Sequence, residues 1–183
     1  MNDHVQGLVT VLTDLDEQVR TITDWGNTLA KVLGAGGRLL VCGNGGSAAE
    51  AQHLTAELVG RYKTERQPYA AIPLHSDSSS FTAIANDFGA EEVFSRQVRA
   101  HGRTGDVLLC LSTSGRSKNI LAANQAAQAC GLTTWALTGA APNPLSERAD
   151  DAVAVPVSDT AIVQEVHLVL IHMLCDVVEE GRT

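Results

Sequence analysis

A glycine-rich turn at residues 41–49 holds groups that can bind an anion. It follows an apolar run, precedes an alanine-rich helical pattern and contains three glycines and Asn44. Glycine allows positive φ angles and close approach of a ligand, Ser47 can cap the helix, and free N–H groups at a helix start attract anions. Ala48 replaces the third glycine of a dinucleotide-binding motif, and the Gly-Lys-Ser/Thr ending of a P-loop is absent. We therefore expect a phosphate or polyhydroxylated ligand, with a purely structural turn as the alternative.

A second loop, between an apolar run and a helical pattern, carries four hydroxyl side chains. They are Ser112, Thr113, Ser114 and Ser117. Such a loop can wrap a phosphate with O–H and N–H donors, and no lysine is required. The alternative is an N-capped turn, for which one hydroxyl would suffice. Four hydroxyls at the end of a strand therefore favour an anion site.

His53 and Glu57 lie four residues apart in the helix that follows the glycine turn. This spacing places both side chains on one helix face. An imidazole and a carboxylate so arranged can share a divalent metal ion, or act as an orienting group and a general base. The non-functional alternative is a half-buried histidine beside a surface glutamate.

The last predicted helix, residues 160–179, carries Gln164, His167 and His172 among aliphatic residues. Histidines in so apolar a helix are either hydrogen-bonded core residues or part of a pocket. Gln164 and His172 would lie about 12 Å apart along a straight helix. A metal ion shared by these two side chains therefore requires them to lean together, or requires ligands from two subunits.

Asn86 and Asp87 follow an apparently helical stretch, residues 79–85, and precede Phe88 and Gly89. Asx–Gly combinations are common in turns. An aspartate near the carboxyl end of a strand can also bind sugar hydroxyls. Both interpretations stay open.

Five short apolar runs are predicted to be strands, and helical patterns of ten or more residues separate the first four. The runs are residues 38–42, 70–74, 107–111, 133–137 and 152–155. Strands alternating with helices predict an α/β fold with a parallel sheet covered on both faces. Ligands of such folds bind at the carboxyl ends of the strands, where the strand order reverses. The loops 43–47 and 112–117 lie at that edge.

The first 34 residues show apolar residues at helical spacing from Val5 to Leu33. The pattern predicts two helices, or one helix broken near Trp25-Gly26. These segments carry too many polar residues to form a core alone, so we expect them to dock on the sheet or on another subunit. We divide the chain into a helical arm, residues 1–34, and the sheet domain, residues 35–183.

The composition excludes several classes of protein. A length of 183 residues suits one domain, and a net charge of −8 argues against a nucleic-acid surface. No run approaches the ~18 apolar residues of a membrane span, and the N-terminus lacks the features of a signal peptide, so we expect a cytoplasmic protein. The four cysteines are scattered and mostly lie in apolar runs. We expect them to be small buried hydrophobes and not a disulfide framework or metal clip.

Three segments together resemble the sugar isomerase (SIS) domain family. They are residues 42–53, residues 112–115 and residues 164–172. The resemblance is ordered from about residue 36 to residue 178, and the N-terminal helices resemble the helical arm of the family. It implies a five-stranded, flavodoxin-like three-layer sandwich and a homotetramer with active sites between subunits.

The chain is most similar to family members that isomerise seven-carbon sugar phosphates. The resemblance implies interconversion of sedoheptulose 7-phosphate and D-glycero-D-manno-heptose 7-phosphate through an enediol, the first step of nucleotide-activated heptose biosynthesis. It implies an acid/base pair formed by Glu57 and His172. One zinc ion per subunit is implied at His53, Glu57, Gln164 and His172. The implied substrate contacts are Asn44, Gly45, Gly46, Asn86, Asp87, Ser112, Thr113, Ser114, Ser117 and Gln164.

A non-catalytic member of the same family is the rival interpretation, either a phosphosugar sensor or a protein that binds the bacterial replication initiator. In that group, residues unable to transfer protons replace those matching Glu57 and His172, whereas both are present here. Residues 93–99 and 174–176 are nevertheless similar to that group as well. Ile162 also departs from the arginine that heptose isomerases often have two residues before the glutamine.

Overall fold

The computed structural model describes residues 2–181 and contains, within them, five strands and seven helices. The strands are β1 (Leu39–Cys42), β2 (Ala71–Pro73), β3 (Val107–Ser112), β4 (Thr133–Thr138) and β5 (Asp151–Ala154). The helices are α1 (Asp3–Leu12), α2 (Asp16–Gly34), α3 (Gly46–Val59), α4 (Ser78–Phe88), α5 (Glu92–His101), α6 (Lys118–Ala129) and α7 (Thr160–Glu180). Each strand end lies within one residue of its predicted position. The predicted α/β class is confirmed.

The sheet is parallel throughout, with the order β2-β1-β3-β4-β5. The chain moves outward from β1 to β2 and then returns to place β3 on the other side of β1. The strand order therefore reverses between β1 and β3. Cys42, the last residue of β1, pairs with Cys110 of β3. The loops that follow these two strands are therefore neighbours, as in other flavodoxin-like sheets.

Two hydrophobic cores cover the two faces of the sheet. Side chains alternate along each strand, so Leu39 and Val41 face one core while Leu40 and Cys42 face the other. Helices α2, α3 and α7 pack on the first face, and α5 and α6 pack on the second. This arrangement explains why every residue of β1 and β3 is buried.

The N-terminal arm forms two helices, but their boundary differs from the prediction. The break lies at residues 13–15, and α2 runs without interruption through Trp25 and Gly26. Gly26 lies within this helix, where packing requires its small size: a Cβ there would lie 2.5 Å from Cβ of Val177. Trp25 stacks on Trp135 at 4.8 Å and donates its indole N–H to Asp151 at 2.7 Å. Helix α2 is thus part of the core that covers the sheet.

Helix α7 is the most apolar long helix among residues 2–181. By length and composition it could cross a membrane, contrary to our expectation that no segment reaches that apolarity, and half of its most apolar stretch is buried. Its partners are α1, α2, α3 and the strands of the first core. Three of the four cysteines are buried as predicted, and Cys130 is partly buried.

Candidate functional site

A small polar cavity lies where the loops after β1 and β3 meet the start of α7. Its volume is about 110 Å³. Its lining residues are Asn44, Ser47, Leu111, Ser112, Thr113, Ser114, Ser117 and Gln164. The structure therefore brings together side chains from both predicted anion-binding loops. Helices α3 and α6 both begin at this cavity, so their free N–H groups add to its preference for an anion.

The glycine turn differs in one detail from the prediction. Helix α3 begins at Gly46 with Gly45 as its N-cap, so Ser47 lies inside the first turn and does not cap it. Gly45 has a φ of +56°, a conformation that glycine adopts without strain. A Cβ at Gly46 would lie 2.4 Å from Nε2 of Gln164. The absence of a side chain at Gly46 thus allows α7 to place Gln164 at the start of α3.

The hydroxyl loop, residues 112–117, uses only one of its four hydroxyls as a hydrogen-bond donor. Ser112 donates a hydrogen bond to Ser117 at 3.3 Å, and the Ser114 hydroxyl accepts one from the backbone of Arg116 at 3.2 Å. Ser117 is the N-cap of α6 but makes no side-chain capping bond. A simple capped turn therefore does not account for this loop. Gly115, with a φ of +60°, leaves room for Asn143 beneath it.

Three of the predicted chemical side chains converge within a single chain. Nε2 of His53 lies 3.0 Å from Nε2 of His172 and 3.3 Å from Oε1 of Glu57. His53 thus joins Glu57 on α3 and His172 on α7 within one chain. The implied position of the active site between subunits stays a prediction.

Gln164 lies apart from this trio. We call the contact between α3 and α7 the α3–α7 seam. Gly46 lies against Gln164 near the start of both helices, and His53 contacts His172 further along both. The two helices therefore run in the same direction. As the side chains stand, residues 2–181 contain no group of three or more histidine, cysteine or carboxylate side chains that could hold a metal ion. The two imidazoles are instead hydrogen-bonded to each other.

A buried Glu50–His167 pair occupies the seam between the cavity and the trio. His167 is fully buried and donates from Nε2 to the carbonyl of Thr138 at 3.1 Å, so it is a core histidine. Its Nδ1 lies 3.9 Å from Oε2 of Glu50, and neither atom has a hydrogen-bond partner. Burial raises the pKa of Glu50 to about 7 and lowers the pKa of His167 to about 4. Both groups are thus neutral over part of the pH range.

Sequence reasoning missed Glu50 and two asparagines. Glu50 lies on the same face of α3 as His53, and that helical spacing could have revealed it. Asn119 exchanges two amide hydrogen bonds with Asn44, at 2.9 and 3.0 Å, across the mouth of the two loops. Asn143 is buried under Gly115. Nothing in the local sequence indicates either asparagine contact.

Asn86 and Asp87 are not brought to the cavity. They form the last turn of α4, are exposed, and hydrogen-bond to each other at 2.8 Å. Neither residue lines the cavity between the two loops. Ile162, at the start of α7, is buried under α1, where its Cδ1 lies 3.0 Å from the position of a Cβ on Gly7.

Comparisons with known proteins give one family. The SIS domain profile matches residues 3–139, so the match ends before α7. A phosphoheptose isomerase from Streptomyces coelicolor is 65% identical over 151 residues, which span 82% of this chain and 65% of that relative. One from Helicobacter pylori is 46% identical over 96% of this chain and 90% of its own length. The solved structure of a phosphoheptose isomerase from Francisella tularensis superposes with a TM-score of 0.92, at 33% identity, covering 98% of this chain and 96% of that one.

Proposed function

The chain belongs to the SIS domain family, and on that premise we propose that it is a phosphoheptose isomerase. The reaction interconverts sedoheptulose 7-phosphate and D-glycero-D-manno-heptose 7-phosphate, as the first step of nucleotide-activated heptose biosynthesis. One observation carries the proposal: His53, Glu57 and His172 converge on the same α3–α7 seam that begins at the hydroxyl-lined cavity. An acid/base group and a phosphate site are what an aldose–ketose isomerase of this kind needs.

The separation of the two parts suits a long sugar. From Ser47 at the cavity to His53 the helix advances six residues, or about 9 Å at 1.5 Å per residue. The six carbon–carbon bonds of a heptose, about 1.5 Å each, give a chain length of the same order. A phosphate held by the hydroxyl loop would therefore leave the first two carbons of the sugar near the trio. A triose phosphate would not reach.

Glu57 is the proposed base. Its carboxylate removes a proton from C1 of the ketose, the C1–C2 bond gains double-bond character, and the carbonyl oxygen at C2 takes up a proton to give an enediol. Return of the proton to C2 and loss of the proton on the C1 oxygen complete the aldose. His172 is the proposed group that moves the proton between the two oxygens, a role supported by its contact with His53, which also contacts Glu57. No atoms are gained or lost.

The proposal includes one zinc ion. Two imidazole nitrogens and a carboxylate oxygen are donor types that zinc takes, and this chemistry supports the proposal. The three side chains would have to shift to hold the ion, because residues 2–181 contain no group of three that could hold one as it stands. An ion there would replace the hydrogen bond between the imidazoles. When bound, it would polarise the sugar carbonyl. His53, Glu57 and His172 would hold it, whereas the position of the Gln164 amide against Gly46 favours a substrate-binding role for that residue.

Homotetramer formation and a cytoplasmic location complete the proposal. Val5 and Val9 on α1 and Phe88 on α4 are 43, 46 and 53% exposed, and α4 has no buried residue. Subunit contacts would cover such faces and would bring Asn86 and Asp87 close to another chain. Four free cysteines suit a reducing compartment. Light scattering of the purified protein tests the tetramer.

The test of the activity uses sedoheptulose 7-phosphate and a heptose kinase that consumes the aldose product. We expect the aldose phosphate to form and to be phosphorylated further, with zinc supplied. Binding of the ketose phosphate without any product, with or without zinc, would contradict the isomerase and favour the sensing member of the family. Calorimetry on the same sample measures that binding.

A further inference from the structure

A segment that follows α3, residues 60–69, is fastened to both helices of the seam; we call it the strap. Its Lys63 ammonium pairs with Asp176 of α7, and the backbone N–H groups of Lys63 and Thr64 donate to the Glu179 carboxylate at 3.2 and 3.3 Å. Arg66 donates to the last carbonyls of α3, at 2.5 Å to Glu57 and 2.6 Å to Leu58. The strap therefore has a fixed position beside the trio.

Tyr62 of the strap lies over the imidazole of His172. The two ring centroids are 5.9 Å apart and the planes are inclined by 25°, a stacked arrangement. The ring of His53 meets the same imidazole edge-on, with centroids 5.2 Å apart and an angle of 66°. His172 is thus held by one ring on its face and by another at its edge.

We propose that Tyr62 is a positioning residue for the isomerase reaction: its ring fixes the plane of His172, so that Nε2 points at His53 and at the sugar. This inference rests on the proposed function. His172 is only partly buried, and its ring would otherwise be free to turn about the Cβ–Cγ bond. A misplaced proton-transfer group slows the chemical step more than it weakens binding. Tyr62 itself is partly buried against the first core and lies beside Lys63, so it is anchored.

Three variants separate the ring from the rest of the strap. Tyr62→Phe keeps the ring, whereas Tyr62→Met keeps most of the apolar volume but has no plane to stack. Tyr69→Met is the matched control, because Tyr69 lies in the same strap and stacks on Arg66 at 4.7 Å instead of on His172. Thermal unfolding of each variant verifies that it is folded.

We expect kcat of Tyr62→Met to fall about fivefold to tenfold while KM changes by less than about twofold. Tyr62→Phe should keep about half or more of the wild-type kcat, and Tyr69→Met should keep its kcat even where its thermal stability falls as far as that of Tyr62→Met. In a crystal structure of Tyr62→Met, His172 should adopt more than one ring orientation and lose its 3.0 Å contact with His53.

Unchanged kcat in Tyr62→Met, or a single unchanged orientation of His172, would overturn the proposal. Should Tyr62→Met fail to fold, Tyr62→Phe still decides: a loss of fivefold or more there would mean that the hydroxyl and not the ring plane matters. If the wild-type protein shows no isomerase activity, the proposed function fails by itself. The crystallographic comparison of His172 would then still test whether Tyr62 positions it.

Discussion

His53 and His172 face each other across the α3–α7 seam with their Nε2 atoms 3.0 Å apart. One of the two nitrogens must carry the proton of this hydrogen bond and the other must accept it. A zinc ion between them would require both rings to keep their proton on Nδ1 and to present a lone pair at Nε2. The same two rings can thus share a proton or share an ion. This relationship makes the trio the most informative target for mutation.

Replacing Glu57 with glutamine should nearly abolish turnover. The amide keeps the shape of the side chain and loses the base, so we expect kcat to fall by about 10²–10⁴, the usual contribution of general-base catalysis. Affinity for sedoheptulose 7-phosphate, measured by calorimetry, should stay nearly unchanged. Glu65→Gln, at an exposed position of the strap, is the control. Full activity of Glu57→Gln would reject the assignment of the base.

Replacing His53 with glutamine should reduce the zinc content of protein purified without chelators. His53 contacts both other members of the trio, so its loss removes one nitrogen ligand and the contact that aligns His172. We expect the metal affinity to fall by at least about tenfold, as measured by competition with a chromogenic chelator. His75→Gln serves as the control, since His75 lies near α3 but contacts Gln52. Equal zinc content in both variants would speak against the proposed site.

Removing the hydroxyl of Ser117 should weaken substrate binding without slowing the chemical step. The hydroxyl faces the cavity and is not used to cap α6. One lost hydrogen bond to a phosphate contributes about 1.5–3 kcal/mol, so KM should rise by about tenfold or more while kcat changes little. Steady-state kinetics of Ser117→Ala and of the exposed control Ser76→Ala test this. A fall in kcat alone would place Ser117 in the reaction and not in phosphate binding.

Alanine at Gly115 should destabilise the fold. The new Cβ would lie 1.9 Å from Oδ1 of Asn143, and the residue would keep a φ of +60°. Overpacking and left-handed strain together amount to about 2–4 kcal/mol, or a fall in Tm of roughly 5–12 °C. Gly36→Ala isolates the strain, because Gly36 has a φ of +85° and open space around it. We expect calorimetry to show the smaller loss in Gly36→Ala, and equal losses would mean that the contact with Asn143 relaxes freely.

The Glu50–His167 pair should give stability a specific pH dependence. The raised pKa of Glu50 provides stability that is complete below 4.5 and is lost as the pH rises through about 7. The lowered pKa of His167 acts in the opposite sense, since its contribution is complete above 6.5 and is lost as the pH falls through about 4. The two contributions therefore oppose each other between about pH 4.5 and 6.5.

Glu50→Gln should isolate the carboxyl. Glutamine cannot ionise, so the variant should gain stability over the wild type on going from pH 5 to pH 8, by about 2 kcal/mol after allowance for solvent screening. Melting curves at both pH values measure this difference, with the exposed Glu17→Gln as a control. If the stability difference between variant and wild type were the same at pH 5 and pH 8, Glu50 would be ionised in the folded protein even at pH 5.

The elements of this fold were predictable because each strand is a short apolar run between helical patterns. The two anion loops could be placed in the same way, since ligand loops of parallel sheets follow strand ends at the reversal of strand order. The position of the break between α1 and α2 could not be predicted from the sequence. Glycine has a low helix propensity, but Gly26 lies within α2, where Val177 of α7 leaves no room for a side chain.

The contacts within the site depend on packing that no local pattern encodes. The helical spacing of Gln164 and His172 separates them, and only the alignment of α7 with α3 shows that they meet Gly46 and His53 respectively. Tyr62 reaches His172 because the strap folds back on α7, which sequence periodicity does not indicate. These side-chain contacts therefore depend on long-range packing and could not be predicted from spacing along the chain.

The stacked tryptophans determine what intrinsic fluorescence can report. The chain has two tryptophans, and both lie in one pair that joins α2 to β4 and β5. Neither lines the cavity or contacts the trio. Tryptophan emission will therefore change when the arm detaches from the sheet during denaturation. It will change little when a sugar phosphate binds in the cavity.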